Sequence, residues 1–418
     1  MANRKFMKHI KPYLILLGSL IMSSAFSQVL SLDSILNRIE RHHPMLQEYS
    51  GRAKAMETYA GGARSWMAPM AGIGTFMTPY PGQNPEAMER GAVMVSFEQS
   101  IPNRSKLNAS EQLLRARSGT FELQRKKVWN QLRFEARSAA FSLLIEREKI
   151  SAIENQIGIL QTAAKMEQTR LESNKGSLSS LYRAEARIAE LQNMLAMAKS
   201  SEVEQQTILL GLIGMENSES VELTIGTPAL PTVLLEPGES DLAAARSDVQ
   251  EIDQQIRLMK LNQDLQRMQS KPEYKLRFDH MQPLGSTPVQ FTAMAMVSIP
   301  IAPWSSGMYK SEVAGMNHEI GSMEKNREAL IRDSKIMVRR MLIQISSMKD
   351  QVRRYEESII PSMNRNYEAQ KISWEENRGS LMDLLEAWEV LSMTQIELLN
   401  KKGALYLMLA NYEKVIEQ

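Results

Sequence analysis

The side chains that could ligate a metal or move a proton are few, and their spacing suits neither task. Five histidines, His9, His42, His43, His280 and His318, and no cysteine leave neither disulfides nor thiolate metal sites. Adjacent His42 and His43 would point ~100° apart on a helix, unlike the i,i+4 pair that chelates zinc. Gly72 and Gly74 form a lone Gly-x-Gly in a strand-like run that lacks a third glycine and opens no helix, so no phosphate loop is implied. Carboxylates are scattered along polar helix faces, and no acid–base pair or cofactor site emerges. The sequence therefore reads as non-enzymatic. Methionine is the outlier, at 29 residues. Thioethers can hold Cu(I), and Met294 and Met296 alternate along one strand-like face, with Met67, Met70, Met77 and Met94 in an earlier run. Methionine is also an adaptable apolar filler. Met341 and Met348, on a helical seam, fit that reading, which covers more of the set.

The elements that carry these residues are mostly helical. The 418 residues carry a net charge of +2 with 23% charged side chains, which gives no footprint for nucleic acid. Arg4, Lys5, Lys8 and Lys11 precede an apolar run over residues 13–22, then Ala25-Phe26-Ser27. This pattern predicts a secretory signal peptide over residues 1–27, its apolar run short of the ~20 residues a spanning helix needs. Nothing later reads as a transmembrane helix, so residence in a membrane would require β-strands.

Residues 32–59 have a helical pattern with Asp33 or Ser31 as N-cap and Pro44 kinking or restarting it. From residue 67 the texture turns to Gly, Thr, Phe, Val and Met. Residues 70–78 and 92–99 read as strands joined by a Pro/Gly/Asn-rich loop. Residues 271–300 repeat that design: Tyr274, Leu276 and Phe278 alternate with Lys275, Arg277 and Asp279, then Phe291, Ala293, Ala295 and Val297 with Thr292, Met294 and Met296. One apolar and one polar face suit a half-buried sheet or a barrel wall.

Residues 104–171 and 306–372 then read as very long helices, interrupted only by Pro361. Ile150, Ile153, Ile157, Leu160 and Ala164, and Met341, Ile345, Met348, Val352, Tyr355 and Ile359, form 3-4 coiled-coil seams. About 65 helical residues reach on the order of 100 Å. Helices return over residues 178–212 and 381–417 after turns at Gly176 and Gly379. The segment Val95–Leu107, VSFEQSIPNRSKL, finds its counterpart roughly two hundred residues later in VSIPIAPWSSGMY, and Gly176-Ser-Leu-x-x-Leu recurs as Gly379-Ser-Leu-x-x-Leu at a similar distance. The expectation is a duplicated unit of helix, β-hairpin and long helical hairpin. It divides the chain into residues 28–213 (hairpin 67–100, helical hairpin 104–213), a surface connector 214–240 with one strand-like run over residues 221–225, and residues 241–418 (hairpin 271–300, helical hairpin 306–417). Four short strands cannot close on themselves, so several copies must join to remove the sheet edges.

In the order and duplication of these pieces, with Ser100–Leu107 at the strand-to-helix junction and Ile360-Pro361 in the second long helix, the chain resembles the TolC-type outer-membrane efflux family over essentially all of residues 28–418. FEQSIPNRSKL is also similar to the heavy-metal (cobalt–zinc–cadmium, copper–silver) branch, although Ser105 stands where that branch usually has glycine. The resemblance implies a mainly α protein with a transmembrane β-barrel: a homotrimer whose twelve strands, four per protomer, continue into a helical tunnel. It implies the outer membrane of a Gram-negative bacterium, with the helices in the periplasm. A periplasmic adaptor would join the duct to an inner-membrane, proton-driven pump, and no cofactor is implied. The adaptor would dock at the turns, at Gly176, Leu178 and Leu181 and at Gly379, Leu381 and Leu384. A gate at that tip needs reversible polar links, for which Asp383, Glu386, Tyr182, Arg183 and Glu185 are the candidates. An exposed Arg183–carboxylate contact of ~0–1 kcal/mol would suit such a latch. Small toxic compounds or metal ions are the expected cargo; type I protein secretion and a non-transporting periplasmic tether are the rivals.

Overall fold

The computed structural model describes residues 28–215, 221–229 and 236–417. The expected signal peptide and parts of the connector lie outside them. The chain runs β1 (Gln28–Ser31), α1 (Leu32–His42), α2 (Pro44–Gly62), β2 (Met70–Phe76), β3 (Ala92–Ile101), α3 (Arg104–Glu172) and α4 (Leu178–Leu212). It continues through β4 (Val221–Thr224), α5 (Glu239–Ala245), α6 (Ser247–Arg267), β5 (Tyr274–Pro283), β6 (Gln290–Val297), α7 (Gly307–Arg354), α8 (Ile360–Glu375) and α9 (Leu381–Ile416).

Local chemistry sets the helix starts. The Ser31 hydroxyl accepts from the Ser34 N–H at 3.3 Å and opens α1. Pro44, whose fixed φ suits a first turn, opens α2. His42 closes α1 and His43 is the extended residue between the two helices, so the pair shares no helix. Asn103 caps α3 by accepting from the Ser105 N–H at 2.9 Å, and Lys106 reaches Glu273 at 2.8 Å. Asn103 also donates to the Pro272 carbonyl at 3.3 Å, and this bond and the Lys106–Glu273 pair join the end of β3 to the start of β5.

α3 is continuous over 69 residues. The second limb is not. A five-residue π turn, Tyr355–Ile359, separates α7 from α8, and the Ile360 N–H reaches back to the Tyr355 carbonyl. Pro361 has no N–H to offer and needs room for its ring; the wider turn before it supplies that room.

Apolar seams close the helical body where expected. Ile153 and Leu160 are buried between the helices of the first limb; Met341, Ile345 and Val352 pack with Leu405 and Leu409 between α7 and α9. A further cluster joins α1, α3 and α4 through Ile35, Ile39, Leu143 and Leu209, each such side chain contributing about 1.5–3 kcal/mol by leaving water. It also includes Leu223, which corrects the surface reading of residues 214–240. Val221–Thr224 form β4, paired in parallel with β1, and Arg147 donates to the Leu223 carbonyl at 2.6 Å.

The other four strands form one antiparallel sheet in the order β2-β3-β5-β6. Register places Glu98 opposite Arg277, Ser96 opposite Asp279 and Met94 opposite Met281. Among the described residues β2 and β6 each pair on one side only, and no helix packs extensively on either face.

Candidate functional site

The sheet has two unlike faces. Ile73, Phe97, Leu276, Phe278 and Phe291 stand exposed on one, and Phe278 stacks on Phe291 with ring centroids 5.8 Å apart. The other carries every Asp, Glu, Lys and Arg of the four strands: Glu98, Lys275, Arg277 and Asp279. Lys275 meets Glu98 at 2.7 Å and Arg277 Nε meets Asp279 at 3.0 Å. Asp279 is only 3% exposed although no helix covers it. Asp279 is short, lies opposite Ser96 and Thr292 and is paired to Arg277, so the longer side chains of that face shield it. The sequence alternation predicts both faces; the pairing that shields Asp279 needed coordinates.

The expected methionines are partly together. Cross-strand register puts Met70, Met94, Met294 and Met296 on the polar face, together with Met281, which the sequence reading did not single out. Met94 and Met281 are directly opposed, whereas Met294 and Met296 face Arg277 and Lys275. Among the described residues there is no cluster of His, Asp or Glu that could hold a metal ion.

At the far end lie the two glycine turns. Each long helix closes with a Schellman pair: the Asn174 and Lys175 N–H groups bond to the Leu171 and Arg170 carbonyls, and those of Asn377 and Arg378 to the Trp374 and Ser373 carbonyls. Asn174 (φ 57°) and Asn377 (φ 60°) are the left-handed residues. The glycines serve close approach instead. A Cβ on Gly176 would lie 2.7 Å from the Leu171 backbone nitrogen, and one on Gly379 2.8 Å from the Ser373 hydroxyl. Sequence reading singled out both glycines and missed the two asparagines, which Asn-Lys-Gly and Asn-Arg-Gly could have signalled.

The returning helices start differently. Ser177 opens α4 by accepting from the Ser180 N–H at 3.4 Å, and its own N–H goes to the buried Glu167 carboxylate at 2.7 Å. Ser380 and Asp383 form a full capping box on α9, and hydrogen bonds from Ser380 hold the Asp383 carboxyl below its ordinary range. Asp383 thus caps its own helix. Glu386, Tyr182 and Glu185 stand exposed nearby. Among the described residues Arg183 makes no ion pair with a carboxylate and instead reaches the Met382 sulfur at 2.8 Å; an ion pair joining α4 to α9 lies one turn on, between Arg187 and Glu389. Sequence reading missed that pair, and also Arg170, which lies over the Trp374 ring at 4.4 Å and donates to its carbonyl at 2.7 Å.

The four docking leucines are split. Leu178 is 52% exposed and Leu181 half-buried, while Leu381 and Leu384 are only 2% and 4% exposed. The latter two pack with Leu385, Trp374 and Trp388 against α3, which corrects their placement on an outward docking surface. An open cleft of about 220 Å³ runs between α3, α8 and α9, lined by Met166, Tyr367, Trp374 and Trp388.

No protein-family model matches the chain, and no curated protein sequence does. Solved structures do. The outer-membrane channel OprN is 12% identical with a TM-score of 0.75 and covers 92% of this chain and 89% of its own. The transmembrane channel CusC is 14% identical at 0.73, covering 94% and 93%. The open-state outer-membrane channel MtrE of Neisseria gonorrhoeae is 14% identical at 0.73, covering 92% and 88%. At these identities the fold is what is shared, and it is shared over nearly the whole of each chain. The chain has the fold of the TolC-type outer-membrane channels that its sequence resembles.

Proposed function

We propose that the protein is a passive duct of the outer membrane, three copies closing a twelve-stranded barrel above a helical tunnel, and the outer part of a tripartite efflux system. The carrying observation is the uncovered sheet: a four-stranded ribbon with one apolar face, one polar face and two free edges. A free edge and an exposed apolar face are both costly in water. Side-by-side closure in lipid removes both. The ten residues of β5, at ~3.3 Å each, suit the ~25 Å apolar band of such barrels once tilted. Trp66, Tyr274 and Trp304 are exposed where strands meet helices, as at a membrane–water interface. Among the described residues no helix is long and apolar enough to cross a membrane.

Export through a signal peptide over residues 1–27, an adaptor and an inner-membrane pump belong to this reading. Adaptor docking falls to the first turn, where Gly176, Leu178 and Leu181 leave apolar surface outside. The gate falls to the exposed side chains of both turns: Asp383 and Glu386 on the second, Tyr182, Arg183 and Glu185 on the first. Small toxic compounds or metal ions are its cargo, and the two halves are copies of one ancestral unit. The test is purification in detergent followed by gels with and without heating and planar-bilayer recording. A heat-sensitive trimer that conducts supports the duct; a water-soluble monomer without β content in lipid overturns it. Replacing Asp383 and Glu386 with Ala should raise the open fraction, and unchanged conductance would remove them from the gate.

A further inference from the structure

We infer that the strand-lined part of the duct is a charge-balanced, thioether-rich sleeve that does not discriminate its passengers by the sign of their charge. This rests on the duct reading above. Pores select ions with rings of charge that lack partners in the wall. Here the polar face carries two acids and two bases and nothing else charged from the four strands, and each is held by an opposite neighbour: Glu98 by Lys275 at 2.7 Å, Asp279 by Arg277 at 3.0 Å. Register locks the four together, because Glu98 also lies directly opposite Arg277. Asp279, at 3% exposure, is withdrawn behind its partner and cannot act as a free anionic site. The rest of that face is neutral: Met70, Met94, Met281, Met294 and Met296 among glycine, serine and threonine, with Phe76, Ala92, Pro283 and Gln290 at one end. Thioethers are polarisable and conform to varied apolar surfaces. A wall of that kind holds no passenger by charge. It admits neutral, anionic and cationic organic solutes alike and leaves any charge preference to the helical tip.

The experiment measures reversal potentials of the full-length trimer in planar bilayers across a potassium chloride gradient. Glu98→Gln frees the positive charge of Lys275 on each protomer, and Lys275→Gln frees Glu98. The two should move the cation-to-anion permeability ratio in opposite directions, toward anions and toward cations, by about two-fold each. The double variant should return to the wild-type ratio. Arg277→Gln, which strips Asp279 of its partner, should move toward cations like Lys275→Gln; it serves as the second cation-side variant should Lys275→Gln fail to assemble. Single variants that leave the ratio unchanged, or that move it the same way, overturn the sleeve. A wild-type protein that forms no channel overturns the duct and the sleeve together, whereas a conducting trimer with an unresponsive ratio overturns the sleeve alone.

Discussion

At Asn174 and at Asn377 the chain reverses through the same pair of hydrogen bonds, yet the helices that return carry opposite surfaces. After the first turn Leu178 and Tyr182 face outward; after the second Leu381, Leu384, Leu385 and Trp388 face inward. The neighbours account for the difference. α9 packs on both α8 and α3, so its apolar side is covered from two directions, whereas α4 has α3 and barely touches α9. The first limb rests on an unbroken α3, the second on a helix interrupted at Tyr355–Ile359. One turn is therefore a surface and the other a core, although Gly-Ser-Leu-x-x-Leu is common to both.

The sharpest way to break this contrast is to cut into the second turn's core. Trp374→Ala removes a side chain that is 2% exposed and packed beneath Arg170. It should cost about 3–5 kcal/mol of local stability. Tyr182→Ala on the first turn should stay within about 0.5 kcal/mol. Hydrogen exchange at the two turns measures both. Equal effects would mean that the turns are energetically alike and the contrast is superficial.

Next come the glycines. Alanine at Gly176 meets backbone atoms of Leu171 and Glu167, which cannot step aside, and should cost about 1–3 kcal/mol. Alanine at Gly379 meets first the Ser373 hydroxyl, which can rotate, and should cost less than about 1.5 kcal/mol. The reverse order in denaturant titration would refute the packing account. Asn174→Ala and Asn377→Ala should then cost about 1 kcal/mol each, and equally, because alanine lacks the short polar side chain that lets asparagine tolerate left-handed backbone. This pair tests what the turns have in common.

Much of this fold was legible along the chain. Two hairpins, four helical limbs and both turns follow from period-two and 3-4 apolar spacing, since those patterns are local and long. What escaped was either short or set by distant partners. β1 is too short to show a period, and although residues 221–225 read as strand-like, nothing in either segment says that the two pair across most of the first half of the chain. Pro361 marks the place of the π turn but not its form. The burial of Leu381, the Arg187–Glu389 pair and the neighbours that shield Asp279 depend on which helix or strand arrives alongside, and nothing within the segment itself encodes that.

The smallest expected effect separates the two caps by pH. Hydrogen bonds from Ser380 lower the folded pKa of Asp383. The ionised carboxylate is therefore the form that stabilises the box. Its contribution is present above the ordinary aspartate pKa and is lost as pH falls through the depressed folded value. The Ser177 hydroxyl, which caps α4 at the Ser180 N–H, does not titrate and keeps that bond throughout. Lowering the pH through the carboxylate range should speed exchange at the first amides of α9, and Asp383→Asn should flatten that dependence while leaving the start of α4 unchanged. If the wild-type protein and Asp383→Asn show the same pH profile at α9, the box is only a crossing of side chains, and the second turn owes its order to its apolar core alone.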